Sequence, residues 1–117
     1  AVVMRESFAG FVKFIDEPSR HWLFYYVTAM DVARAFHLAL KASGPRYGVY
    51  FLSAADTCRA EPTLDWYRER IGSLPTIPAP RVFEQFPRAS IFSSAAARDV
   101  LGWEPSSDFL QLRRDWR

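Results

Sequence analysis

The segment "YVTAMDVARAFHLALKA", Tyr26 to Ala42, constrains the fold of this chain more than any other part of its sequence. Thr28 stands three residues before Asp31. At this spacing the threonine hydroxyl accepts a hydrogen bond from a free backbone N–H, and the carboxylate faces the positive end of a helix. A long helix is therefore predicted to begin here, and Gly44-Pro45 is expected to stop it.

The core face of this helix is predicted from the spacing of its apolar residues. They recur at helical intervals at Val32, Phe36, Ala39 and Leu40. His37 falls on another side of the helix and has no acid near it in sequence. We therefore expect His37 to be a partly exposed helix residue rather than a catalytic base.

Three segments are predicted to be strands. "HWLFYYV", His21 to Val27, and "YGVYFLSAA", Tyr47 to Ala55, are aromatic and β-branched. The apolar run Ala1 to Met4 is typical of a buried strand, and a chain that opens inside such a strand is expected to be part of a longer protein.

Further helices are predicted after Ala55, each bounded by capping or helix-breaking residues. They run from Glu61-Pro62 to Gly72, from Ser93 or Ser94 to Leu101 with Gly102 ending the helix, and onward from about Ser107. Between the first two, Ser73 to Pro87 holds four of the eight prolines of the chain. This proline content predicts an extended connection without a long helix.

Composition and charge exclude several classes of protein. A chain of 117 residues that is 50% hydrophobic and 16% aromatic fits one domain with a real core. The formal charge is +2 and no basic run is longer than Arg113-Arg114, which argues against a nucleic-acid partner. No apolar run approaches the ~20 residues of a membrane span, so no membrane partner is expected. Cys58 is the one cysteine, which fits a cytoplasmic protein, and we expect an ordinary small side chain rather than a nucleophile.

The residues by themselves indicate no catalytic or metal site. The five glycines are isolated, so the chain has no glycine-rich loop for a phosphate or a dinucleotide. His21, His37 and Cys58 share no turn with one another, and metal-ligand spacing is absent. From its residues alone the chain is predicted to be an α+β domain, with no function attached.

Several stretches in a fixed order carry a family resemblance. They are "VVMRES" (Val2 to Ser7), Tyr26-Val27, "DVARA" (Asp31 to Ala35), "VYFL" (Val49 to Leu52) and "LGWEP" (Leu101 to Pro105). With them the chain resembles the C-terminal portion of the extended short-chain dehydrogenase/reductase family, the NAD-dependent epimerases and dehydratases. The likeness covers most of the chain and rests on order and spacing together.

The resemblance implies both a fold and a function. Residues 1–117 would form an α+β or α/β fragment, a single small substrate-binding domain with a remnant of a Rossmann-type sheet. The NAD(P)-binding Rossmann domain and the Ser/Tyr-x-x-x-Lys catalytic set would lie N-terminal to Ala1, so this chain by itself is expected to be inactive and to bind no cofactor. The full-length protein would be a cytoplasmic oxidoreductase that uses NAD or NADP and acts on a small molecule, a sugar or a nucleotide-sugar.

The resemblance also indicates substrate-binding residues, namely Arg5, Ser7 and Arg81. The first two fall where the corresponding strand of the family ends at the active site. Arg81, like Arg88, lies in the proline-rich connection and is a candidate anion clamp, with a solvated surface role as the alternative. Phe24 stands where nucleotide-sugar epimerases commonly have the arginine that clasps a diphosphate.

Two further possibilities stay open at this point. The alternative to an enzyme is a catalytically silent relative that binds a dinucleotide or a protein as a sensor or scaffold. The edge of the predicted strand Ala1 to Met4 also predicts self-association, unless residues 1–15 fold back and leave a monomer.

Overall fold

The fold is built from short helices joined by extended segments. The structure, a computed structural model, describes residues 9–14, 25–44 and 47–115. Within them the bounded helices are α1 (Ala29–Lys41), α2 (Thr63–Ile71), α3 (Pro80–Gln85), α4 (Ala95–Leu101) and α5 (Phe109–Asp115). Residues 9–14 are also helical, and about half of the described residues lie in helices.

No β-sheet forms in the described part of the chain. The expected α+β or α/β fragment with a remnant of a Rossmann-type sheet is therefore wrong there. An isolated antiparallel bridge between Asp56 and Ala89 takes the place of a ladder. Residues 47–55 and 25–27 were predicted to be strands, and they belong to no strand. β-propensity reports how well a residue fits a pleated surface, and it does not supply the neighbouring strand that a ladder needs.

The other parts of the predicted strands, residues 21–24 and Ala1 to Met4, lie outside the described residues.

The helix boundaries agree with the sequence predictions more closely than the strands do. The Thr28 hydroxyl accepts a hydrogen bond from the backbone N–H of Asp31 at 3.2 Å, as the spacing predicts. Helix α1 ends at Lys41, shortly before Gly44.

The later helices also end where glycine was expected to end them. Gly72 and Gly102 follow α2 and α4 with φ of 96° and 66°, a region that residues with a side chain rarely adopt. Pro62 takes the N-cap position of α2 rather than its first helical position. The proline-rich connection contains the short helix α3 and no long one among its described residues.

The apolar stripe predicted as the core face of α1 is exposed. Phe36 is 70% and Leu40 is 88% exposed, whereas Ala35 and Asp31 are buried. Ala35 packs against Ala97 of α4, and small side chains at this contact let the two helices approach closely. The helical period was correctly predicted, but the side of the helix that faces the core was not. His37 is exposed, as expected.

The buried residues form two clusters. The first contains Cys58, Trp66 and Phe109, with Phe11, Val12, Tyr26, Tyr67 and Leu110 packed around them. The second contains Ala35, Ala97 and Trp103, with Val27, Leu38, Tyr50, Leu52 and Leu101 packed around them. Tyr26 and Val27 are consecutive residues and belong to different clusters, so the segment just before α1 runs between the two.

Candidate functional site

A groove of about 880 Å³ opens between α2, α3, α4 and the segments that connect them. We call this cavity the groove. It is lined by residues 53–55, Leu64 and Tyr67 of α2, residues 75–79, Val82 and Phe83 of α3, residues 89–95, Arg98 of α4 and residues 103–105. Clefts of about 300–1,000 Å³ are of the size that holds small organic ligands.

One wall of the groove is held together by serine hydroxyls. The Ser94 hydroxyl accepts from the backbone N–H of Ser53 at 3.0 Å and lies 3.3 Å from the Ser53 carbonyl, to which it donates. The Ser53 and Ser90 hydroxyls are 3.1 Å apart, and Ser90 also accepts from the N–H of Phe92. These bonds join residues 53–54 to residues 90–94 in the absence of a strand ladder there. Because the hydroxyls are engaged in this way, they shape the wall rather than present free donors to a ligand.

Apolar and aromatic side chains make up most of the described lining, and Arg98 and Glu104 are its charged residues. Tyr67, Phe83 and Phe92 contribute rings, while Arg98 contributes the guanidinium. The Arg98 side chain is 57% exposed, and its Nε lies 3.5 Å from Asp99 Oδ1, a long and solvated contact. The guanidinium therefore remains available to an anion in the groove.

Asp56 is a structural acid next to the groove. Its carboxylate accepts from the Tyr26 hydroxyl at 2.6 Å, from Arg88 Nη2 at 2.8 Å and from the backbone N–H of Phe109 at 3.0 Å. Burial, together with this hydrogen bond to Asp56, raises the pKa of Tyr26 well above its usual range. Tyr26 therefore holds its proton and joins the chain before α1 to residue 56.

Asp31 is a second structural acid, buried at the start of α1. One carboxylate oxygen accepts from the backbone N–H and the hydroxyl of Ser106, at 3.1 and 2.8 Å, and the other accepts from the Ser107 hydroxyl at 2.8 Å. Burial by itself would raise the pKa of Asp31, but these hydrogen bonds outweigh it and hold the pKa below its ordinary value. The indole N–H of Trp103 donates to the Asp31 carbonyl at 2.8 Å. Residues 103–107 are thus fixed to the first turn of α1.

Of the three residues predicted to bind substrate, Arg81 is the one that lies among the described residues. Arg5 and Ser7 lie outside the described residues. Arg81 is exposed on α3, directly before Val82, and it does not line the groove. Arg88, the other candidate clamp, donates to Asp56 and to the carbonyls of Thr57 and Arg59, so its guanidinium is committed to the fold.

Sequence reasoning missed the groove and Arg98. The groove is formed by segments that are distant in sequence, and no local pattern reports their meeting. The only local signal is the spacing of Ser94 and Arg98, which lie one helical turn apart and both line the groove.

The described lining of the groove contains no histidine, cysteine or lysine. Among the residues that the structure describes, no group of three or more His, Cys, Asp or Glu side chains is placed to hold a metal ion. None of the helices in the described ranges is long and apolar enough to cross a membrane.

Comparison of the chain with protein-family models, with curated proteins and with solved structures finds no match.

Proposed function

We propose that this chain is the substrate-binding part of an NAD(P)-dependent epimerase or dehydratase, and that the groove receives a nucleotide-sugar. The observation that carries the proposal is the composition of the groove, an apolar and aromatic cleft of about 880 Å³ in which Arg98 is the cationic residue of the described lining. Ligand sites are usually apolar clefts in which a few polar groups fix the orientation of the ligand.

The base and the diphosphate of a nucleotide-sugar each have a counterpart in this lining. Aromatic rings such as those of Tyr67 and Phe83 offer faces on which a base stacks, an interaction worth about 1–3 kcal/mol. A guanidinium binds a diphosphate through charge-assisted hydrogen bonds, which is the part we assign to Arg98. A free sugar has neither a flat aromatic base nor a charge, so within the proposed substrate class the groove favours the nucleotide-sugar.

Contacts between the stretches that carry the family resemblance also support the proposal. The "DVARA" and "LGWEP" stretches lie far apart in sequence, yet Trp103 of the second donates to the Asp31 carbonyl of the first. Ala35 and Leu101 of the same two stretches share the second buried cluster. The two stretches behave as one packed unit, which is less expected of unrelated chance matches.

The described glycines are not arranged as a glycine-rich dinucleotide loop requires. Gly72 and Gly102 follow helices instead of preceding them, and no glycine-rich turn leads into the N-terminus of a described helix. The proposal therefore assigns NAD or NADP, and the catalytic tyrosine and lysine, to another part of the enzyme. A cytoplasmic location belongs to the same proposal.

Isothermal titration of the chain with UDP-glucose, GDP-mannose and dTDP-glucose tests the proposal, with glucose, NAD and NADP as comparison ligands. We expect saturable binding of at least one nucleotide-sugar and none of the comparison ligands. Arg98→Ala should weaken that binding about 10-fold or more, because a hydrogen bond to a charged group contributes about 1.5–3 kcal/mol.

Arg68→Ala is the matched control. Its side chain is also 57% exposed and is also paired with an aspartate of its own helix, but it does not line the groove. The control should leave affinity unchanged. Absence of binding by every nucleotide-sugar at millimolar concentration, or equal losses in the two variants, would contradict the proposal.

The rival proposal is a catalytically silent relative that binds a dinucleotide or a protein. Large exposed apolar side chains on α1 and along residues 47–51 favour a protein partner for such a relative. Saturable binding of NAD or NADP to this chain, with no binding of nucleotide-sugars, would support the rival.

A further inference from the structure

Residues 47–52, "YGVYFL", have the side-chain pattern of a strand without belonging to one. We call these residues the 47–52 segment. Tyr50 and Leu52 pack on the second buried cluster, while Tyr47, Val49 and Phe51 are 83%, 79% and 62% exposed. Apolar side chains therefore point alternately into the core and into solvent, which is the period of a β-strand.

The backbone of the 47–52 segment is unpaired. Among the described residues, none donates a hydrogen bond to its carbonyls or accepts one from its N–H groups. Pairing resumes just after it, where the N–H groups of Ser53 and Ala54 donate to the Ser94 hydroxyl and to the Tyr26 carbonyl. An extended backbone with free donors and acceptors is a template for another strand.

Nothing in the 47–52 segment opposes such pairing. It contains no charged residue and no proline, the residues that natural edge strands use to prevent it. An aromatic surface continues beside the segment. The ring of Phe51 stacks on that of Phe92 with 5.6 Å between ring centroids, and the Phe92 and Tyr25 rings meet edge to face with 4.7 Å between centroids. A partner strand would need to be apolar at alternate positions and uncharged.

We propose that the 47–52 segment pairs in antiparallel fashion with the same segment of a second copy of this chain, with Val49 on the two-fold axis. In this register Tyr47 of one copy lies opposite Phe51 of the other, and Val49 lies opposite Val49. Exposed side chains then meet exposed ones on one face of the pair, and each aromatic cross-strand pair contributes about 0.2–1 kcal/mol. Self-association through this surface is distinct from pairing through Ala1 to Met4, which lies outside the described residues.

The expected dimer is weak. Five paired residues, 47–51, and a few side chains on each copy cover less than the about 800 Å² per partner of a standard interface. We therefore expect dissociation in the micromolar range rather than the nanomolar range.

Size-exclusion chromatography with light scattering, run from low micromolar to millimolar concentration, tests the proposal. The mass of the unmodified chain should rise from 13.5 kDa toward twice that value. Val49→Lys and Val49→Glu should each stay monomeric, because like charges would face each other across the two-fold axis. An equimolar mixture of the two variants should dimerise, since the opposed charges are then opposite.

Leu40→Lys is the matched control, because Leu40 is an apolar residue about as exposed as Val49 and lies on α1, outside the 47–52 segment. It should dimerise as the unmodified chain does, and the circular dichroism of every variant should remain that of the unmodified chain. The proposal is overturned by a constant monomer mass, by a dimer that persists in Val49→Lys, or by a mixture of the charged variants that stays monomeric.

Discussion

At the scale of single residues, Asp31 is the one charged side chain that is fully buried among the residues that the structure describes. Its buried carboxylate accepts from Ser106 and Ser107, and it lies 3.3 Å from Arg34 Nη1. These bonds satisfy the carboxylate at the N-terminus of α1, where the helix dipole also favours a negative charge. Removing the carboxylate would leave several buried donors without an acceptor.

Asp31→Asn should lower the free energy of unfolding at neutral pH by about 2–3 kcal/mol, because buried donors lose their charged acceptor. The folded pKa of Asp31 is lowered, so its contribution is present above the unfolded pKa of about 3.9 and is lost as pH falls through the folded pKa. Urea denaturation between pH 2 and pH 7 should therefore show a smaller loss of stability in acid for the variant than for the unmodified chain.

Asp65→Asn is the control for this measurement. Asp65 also stands in the first turn of a helix and also pairs with an arginine three residues later, but its side chain is 65% exposed. We expect a change of less than about 1 kcal/mol there, as for other exposed ion pairs. Equal effects at the two positions would show that the burial of Asp31 does not matter.

At the scale of elements, α1 has two apolar sides and uses one of them. The side with Ala35 and Leu38 packs on α4 and on the 47–52 segment, and the side with Phe36 and Leu40 faces outward. A periodic pattern shows that a helix has an apolar stripe, and it does not say which neighbour covers that stripe.

Denaturation of two α1 variants separates these sides. Ala35→Leu should destabilise the chain by about 1–3 kcal/mol, because the larger side chain overfills the contact with Ala97 and Trp103. Phe36→Lys should change the free energy of unfolding by no more than about 0.5 kcal/mol, because the position is exposed. A larger loss of stability for Phe36→Lys than for Ala35→Leu would mean that the side of α1 with Phe36 and Leu40 faces the core.

Helix ends could be predicted from sequence because their causes are local. The Thr28 cap needs only the next three residues, and Gly72 and Gly102 end their helices through their own backbone freedom. The predicted strand over Tyr47 to Ala55 failed for the opposite reason, since a ladder depends on a second strand elsewhere. The groove was missed for the same reason, because it is formed by segments that are distant in sequence. Arg98 lines it only because α4 packs beside residues 53 and 90–94.

At the scale of the whole molecule, the described core consists of two small buried clusters, each with a hydrogen-bonded acid beside it. The Tyr26 hydroxyl and Arg88 donate to Asp56 beside the first cluster, and Ser106 and Ser107 donate to Asp31 beside the second. The described core is small and lies beside many exposed large apolar side chains, which indicates a modest stability that a ligand or a partner would raise.

The reactivity of the buried Cys58 thiol provides a measure of this stability. Its side chain is fully buried, and burial raises the pKa of the thiol to about 12, so the reactive thiolate forms only when the core opens. In native buffer at neutral pH we expect a thiol reagent such as DTNB to label the chain at least about 1,000-fold more slowly than in denaturant, in proportion to the open fraction. Labelling within the mixing time would show that the thiol is accessible. Because the chain has one cysteine, the labelling rate reports the fraction of molecules in which the core is open at Cys58, and this rate should fall when a ligand fills the groove or a second copy covers the 47–52 segment.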